Sequence, residues 1–214
     1  MAVDPRRLRV YVVTSSGLVP GRSHLDVGLA AIDGGATAIQ LRAPELDDDA
    51  LREVTAELAE RCRDAGVLLI VNDRVDVAAA FRVGAHVGQA DRPDRARSLL
   101  GHGAVLGISV ASVAEALVAA KAGADYLGIT VWATPTKPEA DPRGLQGLRA
   151  VVEAIDLPVV AIGGVDATNA REVLGAGASG IAVVSAVGAA EDPILATRRL
   201  VDAVRHAEDA DEDG

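Results

Sequence analysis

The sequence predicts an α/β fold: a single-domain (β/α)8 barrel with eight parallel strands. Three observations lead there. Short apolar, β-branched stretches recur eight times along 214 residues, each running into a helical stretch. Polar residues collect just after the apolar runs, as they do where barrel loops assemble a site on one rim. No Asn-Gly or Asp-Gly hairpin turn lies between alternating strands, and no linker divides the series, so closure is favoured over an open doubly wound sheet. This is the TIM barrel architecture.

The elements follow in order. Strands are predicted at Val10–Thr14, Ala36–Leu41, Val67–Val71, Gly84–Val87, Val105–Ser109, Tyr126–Val131, Val159–Ile162 and Gly180–Val184. Each is short and apolar enough to be buried on both faces. Helices are predicted between and after them at Leu25–Asp33, Leu46–Ala65, Asp76–Arg82, Arg95–Leu100, Ser112–Lys121, Leu145–Ile155, Thr168–Leu174 and Pro193–Glu208. The second helix is the clearest. Leu51, Val54, Leu58 and Cys62 recur at three- and four-residue spacing, Asp47, Asp48 and Asp49 open it where the helix dipole favours acids, and Gly66 closes it. The domain is drawn over residues 1–206. Residues 207–214 form an acidic tail that frays from the last helix.

Composition bounds the function. Half the residues are hydrophobic but only 2% are aromatic, so the core is built from Ala, Val, Leu and Ile. Twenty-one basic against 31 acidic residues give a net charge of −10, which speaks against nucleic acid or anionic membrane as a partner. An anionic ligand then needs a local cationic site. The single cysteine, Cys62, excludes an internal disulfide and a multi-cysteine metal site. Arg6, Arg7 and Arg9 lead straight into a strand, with no apolar leader or spanning segment, so a cytoplasmic location is expected.

The strand ends carry Gln40 and Arg42; Asn72 and Asp73; His86, Gln89 and Asp91; Ser109; Thr130, Thr134, Thr136 and Lys137; Gly163 and Gly164; and Ser185. These groups suit phosphate, a metal ion and a heteroaromatic ring. Lys137 and Lys121 are the only lysines, and Lys121 lies late in a helix where it faces water. Gln40, Asn72 and Ser109 are neutral groups that either face a ligand or satisfy one another. Trp132 and His86 read more simply as packing and rim residues.

These residues resemble the thiamine-phosphate synthase family. The resemblance is carried, in order, by Gln40-Leu41-Arg42, Val71-Asn72-Asp73-Arg74, His86-Val87-Gly88-Gln89-Ala90-Asp91, Gly107-Ile108-Ser109, Ala124-Asp125-Tyr126-Leu127-Gly128, Thr134-Pro135-Thr136-Lys137, Ala161-Ile162-Gly163-Gly164 and Ala182-Val183-Val184-Ser185. It spans Val10 to Val187. The resemblance implies an enzyme that joins 4-amino-2-methyl-5-hydroxymethylpyrimidine diphosphate to 4-methyl-5-(2-hydroxyethyl)thiazole phosphate, releasing pyrophosphate. The carbon–oxygen bond ionises, and the thiazole nitrogen attacks the resulting cation.

Such a reaction needs charge neutralisation on the leaving diphosphate more than it needs a covalent nucleophile. By the same resemblance, Asp73 and Asp91 hold Mg2+, while Arg42, Lys137 and Ser109 are catalytic. Gln40, Arg42, Asn72, Ser109, Thr134, Thr136, Lys137, Gly164, Val184 and Ser185 bind substrate, and a homodimer is implied. A unit charge about 4 Å from a phosphate oxygen contributes roughly 4 kcal/mol at an effective dielectric near 20, so each placed cation matters. The Gly163-Gly164 turn beside Val184-Ser185 suits the thiazole phosphate, since such barrels bind phosphate in the loops after strands seven and eight.

Competing readings stay open. Asp73 could cap a helix or pair with Arg74, although Asp76 is the better cap in that loop. Arg42 could pair with Glu45. The chain also departs from the family: a lysine usually follows the Gln-x-Arg motif by two places, where Pro44 stands, so one diphosphate contact is either missing or supplied elsewhere, Arg74 and Arg92 being the candidates. Alternatives to the synthase are a thiazole tautomerase sibling, disfavoured by Ala111 at the expected histidine position; a Schiff-base lyase using Lys137; and a non-catalytic binder of thiazole or thiamine phosphate.

Overall fold

The computed structural model describes residues 3–88, 92–134 and 141–212. After a 3-10 helix at Pro5–Leu8, the strands are β1 (Val10–Val13), β2 (Ala38–Leu41), β3 (Leu68–Asn72), β4 (Gly84–Val87), β5 (Leu106–Val110), β6 (Tyr126–Thr130), β7 (Val159–Ile162) and β8 (Gly180–Val183). They close in sequence order, every neighbour parallel, with β8 paired back onto β1. The helices are α1 (His24–Asp33), α2 (Asp48–Ala65), α3 (Val75–Phe81), α4 (Pro93–Leu100), α5 (Val113–Lys121), α6 (Gly144–Ala154), α7 (Ala170–Leu174), α8 (Ser185–Gly188) and α9 (Pro193–Glu212). The predicted strand and helix order therefore holds, with α8 added after β8. Helix α9 runs through the 206/207 boundary drawn from sequence, and Ala207 on it is buried.

Local chemistry fixes where α2 begins and ends. The Asp47 side chain accepts from the Ala50 amide at its N-terminus, a cap worth about 1 kcal/mol, and Gly66 closes it with φ 71°. The expectation for the third loop is corrected. Arg74, not an acid, occupies the N-cap of α3 without a side-chain bond, and Asp76 lies in the first turn, where it receives Arg74 instead of capping.

Two apolar layers result from strand alternation. Outward residues such as Val12, Ile39, Val71 and Ile129 pack under the helices, whereas Leu8, Tyr11, Leu68, Ile70, Tyr126, Val160 and Ala182 fill the lumen. The N-terminal end of the barrel is tied by Arg97, which donates to Asp125 at 2.5 Å and to the carbonyls of Gly101, Ala104 and Gly123. That end is stabilised; the opposite rim is left open for chemistry.

Candidate active site

Following each strand upward, the inward residues turn from apolar to polar: Ala38 to Gln40, Ile70 to Asn72, Gly107 to Ser109. At that rim lies a cavity of about 560 Å³. Gln40, Arg42, Asn72, Ser109, Thr134, Gly164, Val184 and Ser185 all line it, together with Gly163, Thr130, His86, Tyr11 and Tyr126. Asp73 follows Asn72 directly on the exposed edge of the same rim. Asp91, Thr136 and Lys137 lie outside the described residues.

A chain of hydrogen bonds forms the cavity floor. Gln40 Nε2 donates to the Tyr11 hydroxyl at 2.7 Å, and Tyr11 meets the Tyr126 hydroxyl at 2.9 Å. Tyr126 in turn meets His86 Nδ1 at 2.9 Å, and His86 Nε2 meets Ser109 Oγ at 2.9 Å. Burial raises the pKa of both phenols, so both remain neutral hydrogen-bonding groups. One proton order satisfies every link: Gln40 to Tyr11, Tyr11 to Tyr126, Tyr126 to Nδ1 of neutral His86, and Nε2–H to Ser109. This leaves the Gln40 carbonyl as an acceptor and the Ser109 hydroxyl as a donor toward the cavity.

The two tyrosines were not singled out from sequence. Their signal is the small residue opposite each: Tyr11 pairs with Ala38 and Ala182, and Tyr126 with Gly107. A Cβ on Gly107 would overlap the Tyr126 ring, so glycine there is what lets the phenol cross the lumen.

The charged residues divide sharply. Among the described residues the Arg42 guanidinium has no ion-pair partner, and Glu45 turns to His24 instead, Nε2 to Oε1 at 2.6 Å. Arg74 is engaged by Asp48 at 2.7 Å and Asp76 at 3.0 Å, and its pKa is raised chiefly by the hydrogen bond to Asp48. Arg92 pairs with Asp94 at 3.4 Å on the surface. Both arginines are thus engaged by acids among the described residues, Arg92 only through an exposed contact. Asp73 does not pair with Arg74: it accepts from Asn72 Nδ2 at 2.6 Å and sits at φ 60°, a backbone conformation rare outside glycine.

On the opposite side, Gly163 and Gly164 have φ of 90° and 65°. A Cβ on Gly163 would stand 2.5 Å from the Trp132 carbonyl oxygen. Asn169, missed from sequence, holds this turn by donating to the Gly164 carbonyl at 2.9 Å and accepting from the Asp166 amide at 2.9 Å. Trp132 packs on the outer apolar layer and does not line the cavity.

The profile of the thiamine monophosphate synthase family matches residues 10–187. The chain belongs to that family. It is 52% identical over 196 residues to thiamine-phosphate synthase of Chloroflexus aurantiacus, covering 90% of each chain. It is 46% identical over 202 residues to that of Moorella thermoacetica, covering 92% of this chain and 96% of the relative. The solved thiamine phosphate pyrophosphorylase from Pyrococcus furiosus superposes with a TM-score of 0.87 at 41% identity, over 95% of this chain and 98% of that one. As a thiamine-phosphate synthase family member the chain is an enzyme, a transferase acting on small molecules. The synthase reading is thereby favoured over the tautomerase, lyase and pure-binder alternatives. Among the described residues no helix is long and apolar enough to cross a membrane.

Proposed function

We propose that the rim cavity joins the aminopyrimidine methyl diphosphate to the thiazole phosphate, with each half of the rim taking one substrate. The observation that carries this is the convergence of all eight described candidate substrate residues on one cavity, with a cation on one side and a glycine turn on the other. The pyrimidine lies over the hydrogen-bonded floor, where the Gln40 carbonyl accepts from its amino group and Ser109 donates to a ring nitrogen. The thiazole phosphate sits against the backbone of Gly163-Gly164 and Val184-Ser185.

Arg42 and Lys137 take the diphosphate oxygens. Arg42 suits this because a planar guanidinium can hold two oxygens at once and has no acid partner among the described residues. Asp73 fits a hard divalent cation: it is a carboxylate at the C-terminal end of β3, with Asn72 bound to one oxygen. Asp91, in the loop after the adjacent strand β4, is the second proposed ligand. Mg2+ held there would neutralise charge on the departing diphosphate. The chain's own contribution is to orient both substrates, exclude water from the cation and hold the leaving group. A homodimer and a cytoplasmic location belong to the same reading.

The test is pyrophosphate release that requires both substrates and Mg2+. Binding without turnover would overturn the proposal. Sedimentation velocity tests the dimer.

A further inference from the structure

Two places past Arg42, Pro44 begins a contact chain that returns to the Arg42 backbone. Pro44 is the second residue of a turn closed by the Leu46 amide on the Ala43 carbonyl at 3.2 Å. Proline presets the backbone for that position. The turn brings Glu45 to His24, whose Nε2 lies 2.6 Å from the carboxylate. His24 Nδ1 is 2.8 Å from Thr14 Oγ1, and Thr14 Oγ1 accepts from the Arg42 backbone amide at 3.2 Å.

Three features make this chain more than incidental contact. Thr14 is fully buried and His24 is 5% exposed, so their polar atoms need these partners. The Arg42 amide lies just past the last β1–β2 ladder pair, Val13 with Gln40, where the chains diverge; the Thr14 hydroxyl supplies an acceptor there. His24 itself is fixed at the start of α1 by the Ser23–Asp26 capping box. In the neutral ring the proton order is consistent throughout: Nε2–H to Glu45, Thr14 O–H to Nδ1, Arg42 N–H to Thr14.

We propose that His24, with Thr14 and Glu45, is a positioning residue that sets Arg42 at the diphosphate side of the cavity. This rests on the reading of Arg42 as a diphosphate contact. His24 touches neither substrate; it acts through the backbone that carries the guanidinium. The turn at Pro44, just past Arg42, carries Glu45 to His24 and so fastens the segment that bears the guanidinium.

Steady-state kinetics with both substrates and Mg2+ test it. His24→Leu keeps the buried volume and removes both hydrogen bonds. Its KM for the pyrimidine diphosphate should rise about three- to tenfold, the worth of about one buried hydrogen bond, with the KM for thiazole phosphate within about twofold of wild type. Thr14→Val should do the same, and carries the test if His24→Leu does not fold. His24→Gln, which restores a donor to Glu45, should recover part of the loss.

The deciding measurement is the double variant. If His24 acts through Arg42, adding His24→Leu to Arg42→Ala should cost nothing further. Additive losses, or equal rises in both KM values, would overturn the positioning role while leaving Arg42 as a ligand. An unchanged diphosphate KM in Arg42→Ala would instead remove the reading of Arg42, and this inference with it.

Discussion

In the proposed arrangement the groups that meet the thiazole phosphate on the β7–β8 side of the cavity are backbone, held by Gly163 and Gly164 at positive φ and stapled by Asn169. On the β2–β4 side the groups are side chains: Asn72 at the end of β3, with Arg42 and Asp73 just past β2 and β3, fastened by hydrogen bonds to Thr14 and Asn72. The contrast follows from what each half must do. A phosphate that is carried through unchanged needs a fixed cradle, and backbone amides supply one at no rotamer cost. A diphosphate that gains charge as it leaves needs full cations and a metal, which only side chains supply.

The sharpest way to break the comparison is to remove charge from the side-chain half. Asp73→Ala and Lys137→Ala should each lower kcat by about a hundredfold or more, the scale seen when one transition-state charge contact is lost. Circular dichroism should show the fold intact. Near wild-type turnover in both would refute the assignment of that half.

The backbone half should fail differently. In Gly163→Ala the new Cβ meets a carbonyl oxygen at 2.5 Å, at a φ of 90° that an L side chain rarely adopts. Strain of this kind costs about 1–3 kcal/mol. For a chain of this length that lowers Tm by about 3–10 °C. The KM for thiazole phosphate should rise while that for the pyrimidine diphosphate stays. Equal effects on both would mean that the halves are not separate.

The two halves were also unequally legible. Strand order and closure could be read because β-branched runs buried on both faces carry their signal locally, and ends moved by only a residue or two, as with Ala36 and Val67 lying just outside β2 and β3. The glycine turn was legible for the same reason: two adjacent residues define it. Helix α8 was not, since four residues hold no periodicity. Nor was the floor, because Tyr11 and Tyr126 are separated by 115 positions and meet only through barrel register. The readings of Arg42 as Glu45's partner and of Asp76 as a cap failed where several acids compete for few cations in one stretch of loop. Sequence spacing does not say which acid wins.

Pro44→Lys sharpens the comparison from the other side by returning a cation to the side-chain half. Pro44 is exposed, so the added charge is screened and contributes at most about 1 kcal/mol. The KM for the pyrimidine diphosphate should fall by up to about fivefold. The loss of the proline should separately lower folding stability by roughly 0.5–1 kcal/mol, read as a lower Tm. No change in that KM would mean that Arg42, Lys137 and the metal already saturate the diphosphate.

The smallest effect concerns the fastening itself. Burial alone would raise the Glu45 pKa, but hydrogen bonds from Ser16 and His24 outweigh it and hold the carboxyl at about 2, below its ordinary 4.5. A depressed carboxyl stabilises the fold above its unfolded pKa, and this stabilisation disappears as pH falls through the folded value. The stability difference between wild type and Glu45→Gln should therefore shrink steadily as pH falls from about 4.5 to about 2. Urea unfolding midpoints across that range measure it. Glu45 is 45% exposed, so the difference is small, and its pH profile carries the information rather than its size. A difference that does not change over that range would show that the carboxylate is not engaged, and would remove Glu45 from the fastening of Arg42.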